Sequence, residues 1–170
     1  MTELTTPRLR LRLWRDEDLE TIARWNADPF VMRHMGRPPM TREESEEALA
    51  CHRRHWDEHG FGTWAVELRE TGELVGRTGL SYHRAWPDDP ELGWLIDPAH
   101  TGRGLATEGG AASVEYGFGV LRVSRLVSIC VEENVESRRV MEKLGFRPHA
   151  TVPFEPLGID LLVHARDAMT

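Results

Sequence analysis

The residues best suited to chemistry in this sequence are two glycines that follow a short apolar strand. The strand is predicted at 94–96, the pair Asp97-Pro98 ends it, and the turn Gly102-Arg103-Gly104 opens a helix of small residues. Glycine lets backbone N–H groups approach a ligand closely, and the positive end of a helix dipole favours an anion. This pattern predicts a site for a phosphate or pyrophosphate, with Arg103 as an adjacent cation.

A second group of potential ligands lies on a helix predicted at 41–59. His52, His55 and His59 are three and four residues apart, so they fall on one side of that helix, as metal ligands often do. No carboxylate or cysteine completes a convincing ligand set around them. We therefore expect no metal, and interpret the histidines as the border of a buried stripe formed by Ala48, Leu49 and Trp56.

Length and composition restrict the class of protein. The 170 residues predict one domain, 1–170, that buries roughly 70% of its unfolded surface. The 21 basic and 28 acidic residues give a net charge of −7, which disfavours a nucleic-acid partner. No apolar run approaches the ~20 residues that cross a bilayer, and no signal-peptide region precedes the domain, so no membrane partner is expected. Cys51 and Cys130 lack metal or redox spacing, which indicates the cytoplasm.

The elements that position these residues follow from alternation and capping signals. Strict alternation predicts a strand at 8–13 with its leucines inward and Arg8, Arg10 and Arg12 in solvent. Helices are predicted near 16–26, 41–59, 102–119 and 135–144. Further strands are predicted near 61–68, 74–82, 91–96, 125–132, 146–154 and 158–165, with a loop at 83–89. This order predicts an α/β fold of the α+β type, with helices on both faces of a mixed sheet of about seven strands.

Two motifs within these elements resemble those of the GNAT acetyltransferases. The run Thr101-Gly-Arg-Gly-Leu-Ala106 is similar to the family's acyl-CoA pyrophosphate loop, Gln/Arg-x-x-Gly-x-Gly/Ala. Asn134-Val-Glu-Ser137, followed by Lys143-Leu-Gly-Phe146, is similar to its next motif. Segments 6–12, 72–76 and 91–94 resemble the Rim-type branch, the ribosomal-protein N-terminal acetyltransferases. Two motifs about 30 residues apart in the expected contexts are far more specific than one glycine loop.

The resemblance implies an activity as well as a fold. The fold is a single GNAT domain whose mostly antiparallel sheet has a splayed strand pair that holds acyl-CoA. The activity is transfer of acetyl from acetyl-CoA to a primary amine by direct attack within a ternary complex. The leading acceptor is a protein N-terminal α-amine, and a small amine such as an amino acid, polyamine or antibiotic is the alternative. A non-catalytic acyl-CoA sensor stays open as a further class, and either a monomer or a homodimer is compatible.

The resemblance also implies the residues that bind the cosubstrate. They are Trp94, Leu95, Ile96, Gly102, Arg103, Gly104, Leu105, Ala106, Thr107, Asn134 and Ser137. A free backbone N–H near Leu95 or Ile96 is expected to hold the thioester oxygen. The alternative is that Asn134 serves only as a helix cap and that Ser137 only fills space beside that cap.

Three catalytic candidates come from the same resemblance. Glu91 or Glu155 would take a proton from the incoming ammonium, although Glu91 could instead fix a loop. Met141 stands where many members have a catalytic tyrosine, and a thioether cannot donate a proton. Ser137 is therefore the expected proton donor to the departing thiolate. Acceptor specificity is expected to lie in the loops 28–40, 82–89 and 153–158.

Overall fold

An open sheet of eight strands, in the order β1-β2-β3-β4-β5-β6-β8-β7, forms the centre of the structure. The computed structural model describes residues 2–169, apart from the side chain of His34. The strands are β1 (Leu4–Thr5), β2 (Leu9–Arg12), β3 (Thr63–Leu68), β4 (Leu74–His83), β5 (Trp86–Ile96), β6 (Arg125–Val131), β7 (Arg147–Phe154) and β8 (Ile159–Asp167). The ends of the predicted domain 1–170 stay a prediction, because Met1 and Thr170 lie outside the described residues.

Five helices flank the sheet: α1 (Leu19–Ala27), α2 (Pro29–His34), α3 (Arg42–His59), α4 (Leu105–Gly119) and α5 (Val135–Lys143). The capping box predicted for α3 is confirmed, since the Thr41 side chain accepts from the N–H of Glu44 and the Glu44 carboxylate accepts from the N–H of Thr41. Helix α2 was not predicted. The pair Asp28-Pro29 ends α1 as expected, but it also starts α2, because the Asp28 side chain accepts from the N–H of Phe30.

Two strand predictions need correction. The sheet has eight strands rather than about seven, because the two-residue β1 pairs with β2. The loop predicted at 83–89 is mostly strand, since β4 runs to His83, β5 begins at Trp86, and these two residues pair with each other. The prolines at 87 and 90 suggested a loop, yet proline is compatible with a strand where no ladder N–H is needed.

The helices cover both faces of the sheet, as predicted. Helix α4 and the C-terminal helix α5 pack on one face, where the buried side chains include Leu9, Leu80, Leu92, Leu126 and Phe146. On the other face α1, α2 and α3 enclose a smaller cluster that includes Trp14, Ile22, Trp25, Leu49 and Leu95. Since successive strand residues point to opposite faces, Leu92 and Leu95 of β5 belong to different clusters.

The expected solvent position of Arg12 is wrong. Arg12 is 3% exposed, and its guanidinium donates to both carboxylate oxygens of Asp18 at 2.8 Å and to Glu67 at 2.6 Å. The alternation itself is correct, since Leu9 and Leu11 are fully buried on the opposite face. The start of α1 covers this end of β2, so the arginine is buried between two carboxylates that neutralise it.

The strand pair β5–β6 differs from every other described pair in the sheet, because its strands are parallel and barely joined. Glu91 and Val127 form the single bridge between them in the described chain. One residue further along, the Ser128 hydroxyl donates to the Leu92 carbonyl at 2.8 Å. Beyond this point the described residues of the two strands form no further ladder pair, as expected of a splayed pair. The gap between their carboxyl ends is called the cleft below.

Candidate active site

The cleft between β5 and β6 exposes backbone groups of β5. The N–H of Asp97 donates to Val75 of β4, and the Gly93 carbonyl accepts from Thr78 of β4. Backbone groups alternate in direction along a strand, so those of Leu95 also face β4, while those of Trp94 and Ile96 face the cleft. Of the two residues expected to hold the thioester oxygen, Ile96 is therefore the one whose N–H points towards the gap.

The glycine turn has the geometry of an anion cradle. Gly102 and Gly104 adopt φ angles of 73° and 77°, which side chains disfavour, and Gly104 is the N-cap of α4. The first turn of α4, Leu105 to Thr107, therefore starts from a cap that has no side chain to satisfy its N–H groups. A Cβ added at Gly102 would meet no atom within 4 Å. The turn therefore has the conformation and the open space that a pyrophosphate needs, and its role in binding one stays a prediction.

The hydrogen bonds that connect residues 6–8 to this turn and to the start of α4 were not predicted from the sequence. The Glu108 carboxylate, in the first turn of α4, accepts from the Thr6 hydroxyl at 2.6 Å and from Arg8 Nε at 2.6 Å. Arg8 Nη1 also donates to the Arg103 carbonyl at 2.9 Å. Burial opposes ionisation of Glu108, but these hydrogen bonds outweigh it and lower its pKa. The alternation at 8–13 suggested a solvated arginine, and gave no signal for this contact.

The start of α5 combines two predicted residues. The Asn134 side chain accepts from the N–H of Ser137 at 3.0 Å, so the expected helix cap is present. Asn134 is buried and Ser137 is half-buried one turn into the helix. Met141, at the family's usual tyrosine position, is 1% exposed and packs in the core around α4 and α5. The catalytic role of Ser137 stays a prediction.

The two candidate bases occupy different surroundings. Glu91 is half-buried at the bridge to β6, and desolvation raises its pKa to about 7, although the Arg77 charge and the Ile129 backbone oppose the rise. Glu155 is exposed in the turn between β7 and β8. A carboxylate with a pKa near neutrality suits proton transfer from an amine, so the surroundings favour Glu91.

The three predicted specificity loops meet on the face of the sheet that carries α1 to α3. A cavity of about 610 Å³ lies between residues 29–38 on one side and Leu157, Ile159 and Asp160 on the other. The tip of the β4–β5 hairpin reaches across to β7, where the His83 and Phe154 rings are 5.7 Å apart. The loops 28–40 and 82–89 therefore both contact the β7–β8 hairpin.

The comparisons with known proteins agree with this geometry. A family model described as "Acetyltransferase (GNAT) domain" matches residues 8–147. This chain belongs to the GNAT acetyltransferase family. The acetyltransferase is similar to the uncharacterized N-acetyltransferase YoaA of Bacillus subtilis (strain 168), with 32% identity over 148 residues, 85% of this chain and 82% of that protein. It is also similar to the spermidine N(1)-acetyltransferase of Escherichia coli (strain K12), with 28% identity over 138 residues, 81% of this chain and 72% of that protein.

A solved structure shares the fold of the acetyltransferase over almost its entire length. The acetyltransferase from Agrobacterium tumefaciens str. C58 superposes with a TM-score of 0.88 at 28% identity, covering 99% of this chain and 95% of that chain. Enzymes of the GNAT family take their acetyl group from acetyl-CoA. The cradle at Gly102 and Gly104, together with the cleft beside Ile96, fits such a cosubstrate.

The histidines of α3 in the acetyltransferase have structural partners. His52 stacks on Trp14 and lies 3.0 Å from the Thr63 hydroxyl, and burial lowers its pKa to about 3. His55 contacts the Phe61 carbonyl through Nδ1 and the N–H of Tyr82 through Nε2, which fixes a neutral tautomer with the proton on Nδ1. The buried stripe beside them contains Leu49 and Trp56 as predicted, while Ala48 is half-buried.

Among residues 2–169, leaving out the His34 side chain, no group of three or more histidine, cysteine, aspartate or glutamate side chains is arranged to hold a metal ion. Within the same residues, no helix combines the length and apolar character that a bilayer crossing requires.

Proposed function

We propose that this acetyltransferase transfers acetyl from acetyl-CoA to an α-amine, with Glu91 as the general base and a protein N-terminus as the leading acceptor. The observation that carries this proposal is the position of Glu91, half-buried at the root of the cleft with a pKa raised to about 7. The motif resemblance supports a place in the Rim-type branch.

The pKa values of the amines themselves favour an α-amine over a side-chain amine, whichever carboxylate takes the proton. An α-ammonium has a pKa of ~7.7–8.0, whereas a lysine ammonium has ~10.4. Proton transfer to a carboxylate of pKa about 7 is then uphill by ~1 unit for the first and by over ~3 units for the second. At ~1.4 kcal/mol per unit, the difference is worth roughly 3–4 kcal/mol of barrier.

The residues of the cleft divide the chemistry among them. Glu91 takes one proton from the ammonium, and the neutral nitrogen attacks the thioester carbon, so a C–N bond forms and the C–S bond breaks. The N–H of Ile96 holds the oxygen while negative charge develops on it. The Ser137 hydroxyl donates to the departing sulfur, and the second proton of the nitrogen passes to that thiolate, which leaves as the free thiol.

A small amine is the second candidate acceptor, and one relative favours it. The similar E. coli protein is a spermidine acetyltransferase. The cavity lining does not separate the two candidates, because Arg33 and Arg37 stand there together with Glu132, Glu133 and Asp160. The feature that disfavours a polycation is the Arg77 charge beside Glu91, where the base would meet the amine.

The test is release of free thiol from acetyl-CoA by the purified protein with a panel of acceptors. The panel contains peptides with a free α-amine, the same peptides with that amine blocked but a lysine present, and spermidine. We expect thiol release and an added acetyl mass on the free α-amine peptides. Release with spermidine alone would favour the second candidate. Tight acetyl-CoA binding without release for any amine would make the protein a sensor.

A further inference from the structure

Arg77 is a charge on the acceptor side that forms no ion pair with a described residue, although the Glu91 charge is close enough to act on it. It lies on β4, opposite Leu95 of β5, and is half-buried. Its one hydrogen-bond contact among the described residues is Nη2 to the Met35 sulfur at 3.9 Å, and it forms no ion pair with any of them. A guanidinium has five N–H donors, so most of its capacity is open to a ligand.

Arg77 and Glu91 share one face of the sheet. Arg77 pairs with Leu95 and Ser81 pairs with Glu91, and residues two apart on a strand point to the same side. Between them on this face lie Gly79 and Gly93, which have no side chains. A Cβ added at Gly93 would meet no atom within 4 Å, so the space over Gly93 is open, whereas one added at Gly79 would meet the backbone of Gly62.

The surroundings of Arg77 disfavour its positive charge. Desolvation is the largest effect on its pKa and lowers it, the Arg37 charge lowers it further, and Glu91 alone opposes them. The acidic residues at the cavity, Glu132, Glu133 and Asp160, line it together with Arg33 and Arg37 and form no ion pair with Arg77. A desolvated cation without a partner is costly, and an oxyanion would relieve that cost.

We infer that the acceptor carries a carboxylate or similar oxyanion beside its reacting amine, and that Arg77 binds this group while Glu91 takes the proton. This inference rests on the proposed function and adds the acceptor's second charge to it. The anionic group can come from either of two sources: the α-carboxylate of a free amino acid, or an acidic side chain at the first residues of a peptide.

Matched acceptors test the inference on the full-length protein. The first arm compares free amino acids with their amides, and the second compares the dipeptides Glu-Ala and Asp-Ala with Gln-Ala and Asn-Ala. We expect kcat/KM to be at least ~10-fold higher for the anionic member of one arm, because a guanidinium–carboxylate contact is lost in the other member. The arm that shows the preference identifies the source of the anion.

The variant Arg77→Gln should abolish that preference and leave acetyl-CoA affinity within about twofold of the wild type, because the cosubstrate does not involve the anion. The preference is scored as the ratio of the two kcat/KM values within the variant, so that the effect of the lost charge on the pKa of Glu91, which acts on both members of the pair, cancels. Arg77→Lys should retain part of the preference, and Arg33→Gln serves as a control at an arginine that lines the cavity. A preference that survives Arg77→Gln would overturn the inference and leave acetyl transfer intact.

Calorimetry with the CoA-bound protein provides a readout that does not depend on turnover. Glu-Ala should bind at least ~10-fold more tightly than Gln-Ala, or an amino acid more tightly than its amide, and Arg77→Gln should remove the difference. Equal affinities in both arms would refute the inference, even if no acceptor were acetylated. Absence of turnover alongside an Arg77-dependent difference would instead count against the proposed function.

Discussion

Glu91 and Val127 face each other at the single bridge that joins β5 to β6 in the described chain. The candidate base therefore sits at the point where the sheet begins to split. The cavity between residues 29–38 and the β7–β8 hairpin also includes Val131, at the end of β6. If Glu91 is the base as proposed, proton transfer takes place where the two strands part.

The first prediction concerns the pH dependence of turnover. Because burial raises the pKa of Glu91 to about 7, the wild-type rate should rise through neutral pH as this carboxylate ionises. Glu91→Gln should lower turnover by about 10- to 100-fold at pH 7, with a smaller deficit where the amine is already neutral. Glu155→Gln, at an exposed turn, is the control. Identical pH–rate profiles for Glu91→Gln and the wild type would show that the amine arrives neutral.

The same carboxylate should also affect stability. A folded pKa of about 7 lies above the ordinary value of 4.5, so the stability contribution of Glu91 is full below pH 4.5 and is lost as pH rises through 7. Glu91→Gln should therefore match the wild type near pH 4 and exceed it by about 1–3 kcal/mol at pH 8. Urea unfolding at both pH values measures this. A constant difference between the two proteins would contradict it.

The glycine turn gives a prediction on cosubstrate affinity. Gly104→Val places a branched side chain at a φ of 77° and into the space assigned to the pyrophosphate. Acetyl-CoA affinity should fall by more than ~100-fold, which is at least ~3 kcal/mol. Gly72→Val is a matched control, because Gly72 has a φ of 72° in the β3–β4 turn, away from the cleft. Unchanged calorimetric affinity in folded Gly104→Val would remove the turn from the site.

The contact between Arg8 and the turn predicts a smaller effect on the same affinity. Arg8→Gln should weaken acetyl-CoA binding by about 3- to 10-fold, because Arg8 holds the Arg103 carbonyl and Glu108. Arg10→Gln is the control, since the side chains of Arg8 and Arg10 are 48% and 45% exposed. Equal affinities for the two variants would mean that the contacts of Arg8 do not maintain the conformation of the turn.

Ser137 provides a prediction on the thiolate. Ser137→Ala keeps the backbone N–H that bonds to Asn134, so the helix start should survive. The expected result is a loss of about 10- to 1,000-fold in kcat with a smaller change in acetyl-CoA affinity. Ser124→Ala, at an exposed serine, is the control. Full kcat in Ser137→Ala with a true acceptor would mean that solvent protonates the thiolate.

Local signals in the sequence were enough to predict the cleft and its turn. The glycines at 102 and 104 and the cap at Asn134 depend on residues close to one another in the chain, and the structure places each as expected. Contacts between residues distant in sequence could not be predicted from such local signals. Nothing near Arg12 indicates that Asp18 and Glu67 will bury it, and the Arg8 bond to Glu108 spans a hundred residues.

The position of Arg77 was only partly predictable from the sequence. A charged residue within the run Leu74-Val-Gly-Arg-Thr-Gly-Leu80 departs from its apolar neighbours, and that departure was a usable signal. Its face could be deduced only from the pairing with Leu95, which fixes it beside Glu91 rather than in the core.

The sparse joint between β5 and β6 has a mechanical consequence. The described links between the two strands are the Glu91–Val127 bridge, the bond from Ser128 to Leu92 and the contact of the Glu91 carboxylate with the Ile129 backbone. The sheet therefore consists of two parts, β1–β5 and β6–β8, that are joined at one end. A cosubstrate that forms hydrogen bonds along β5 and packs against β6 would connect the two parts of the sheet where they are not paired. Its binding would therefore stabilise their association, and its release would weaken it.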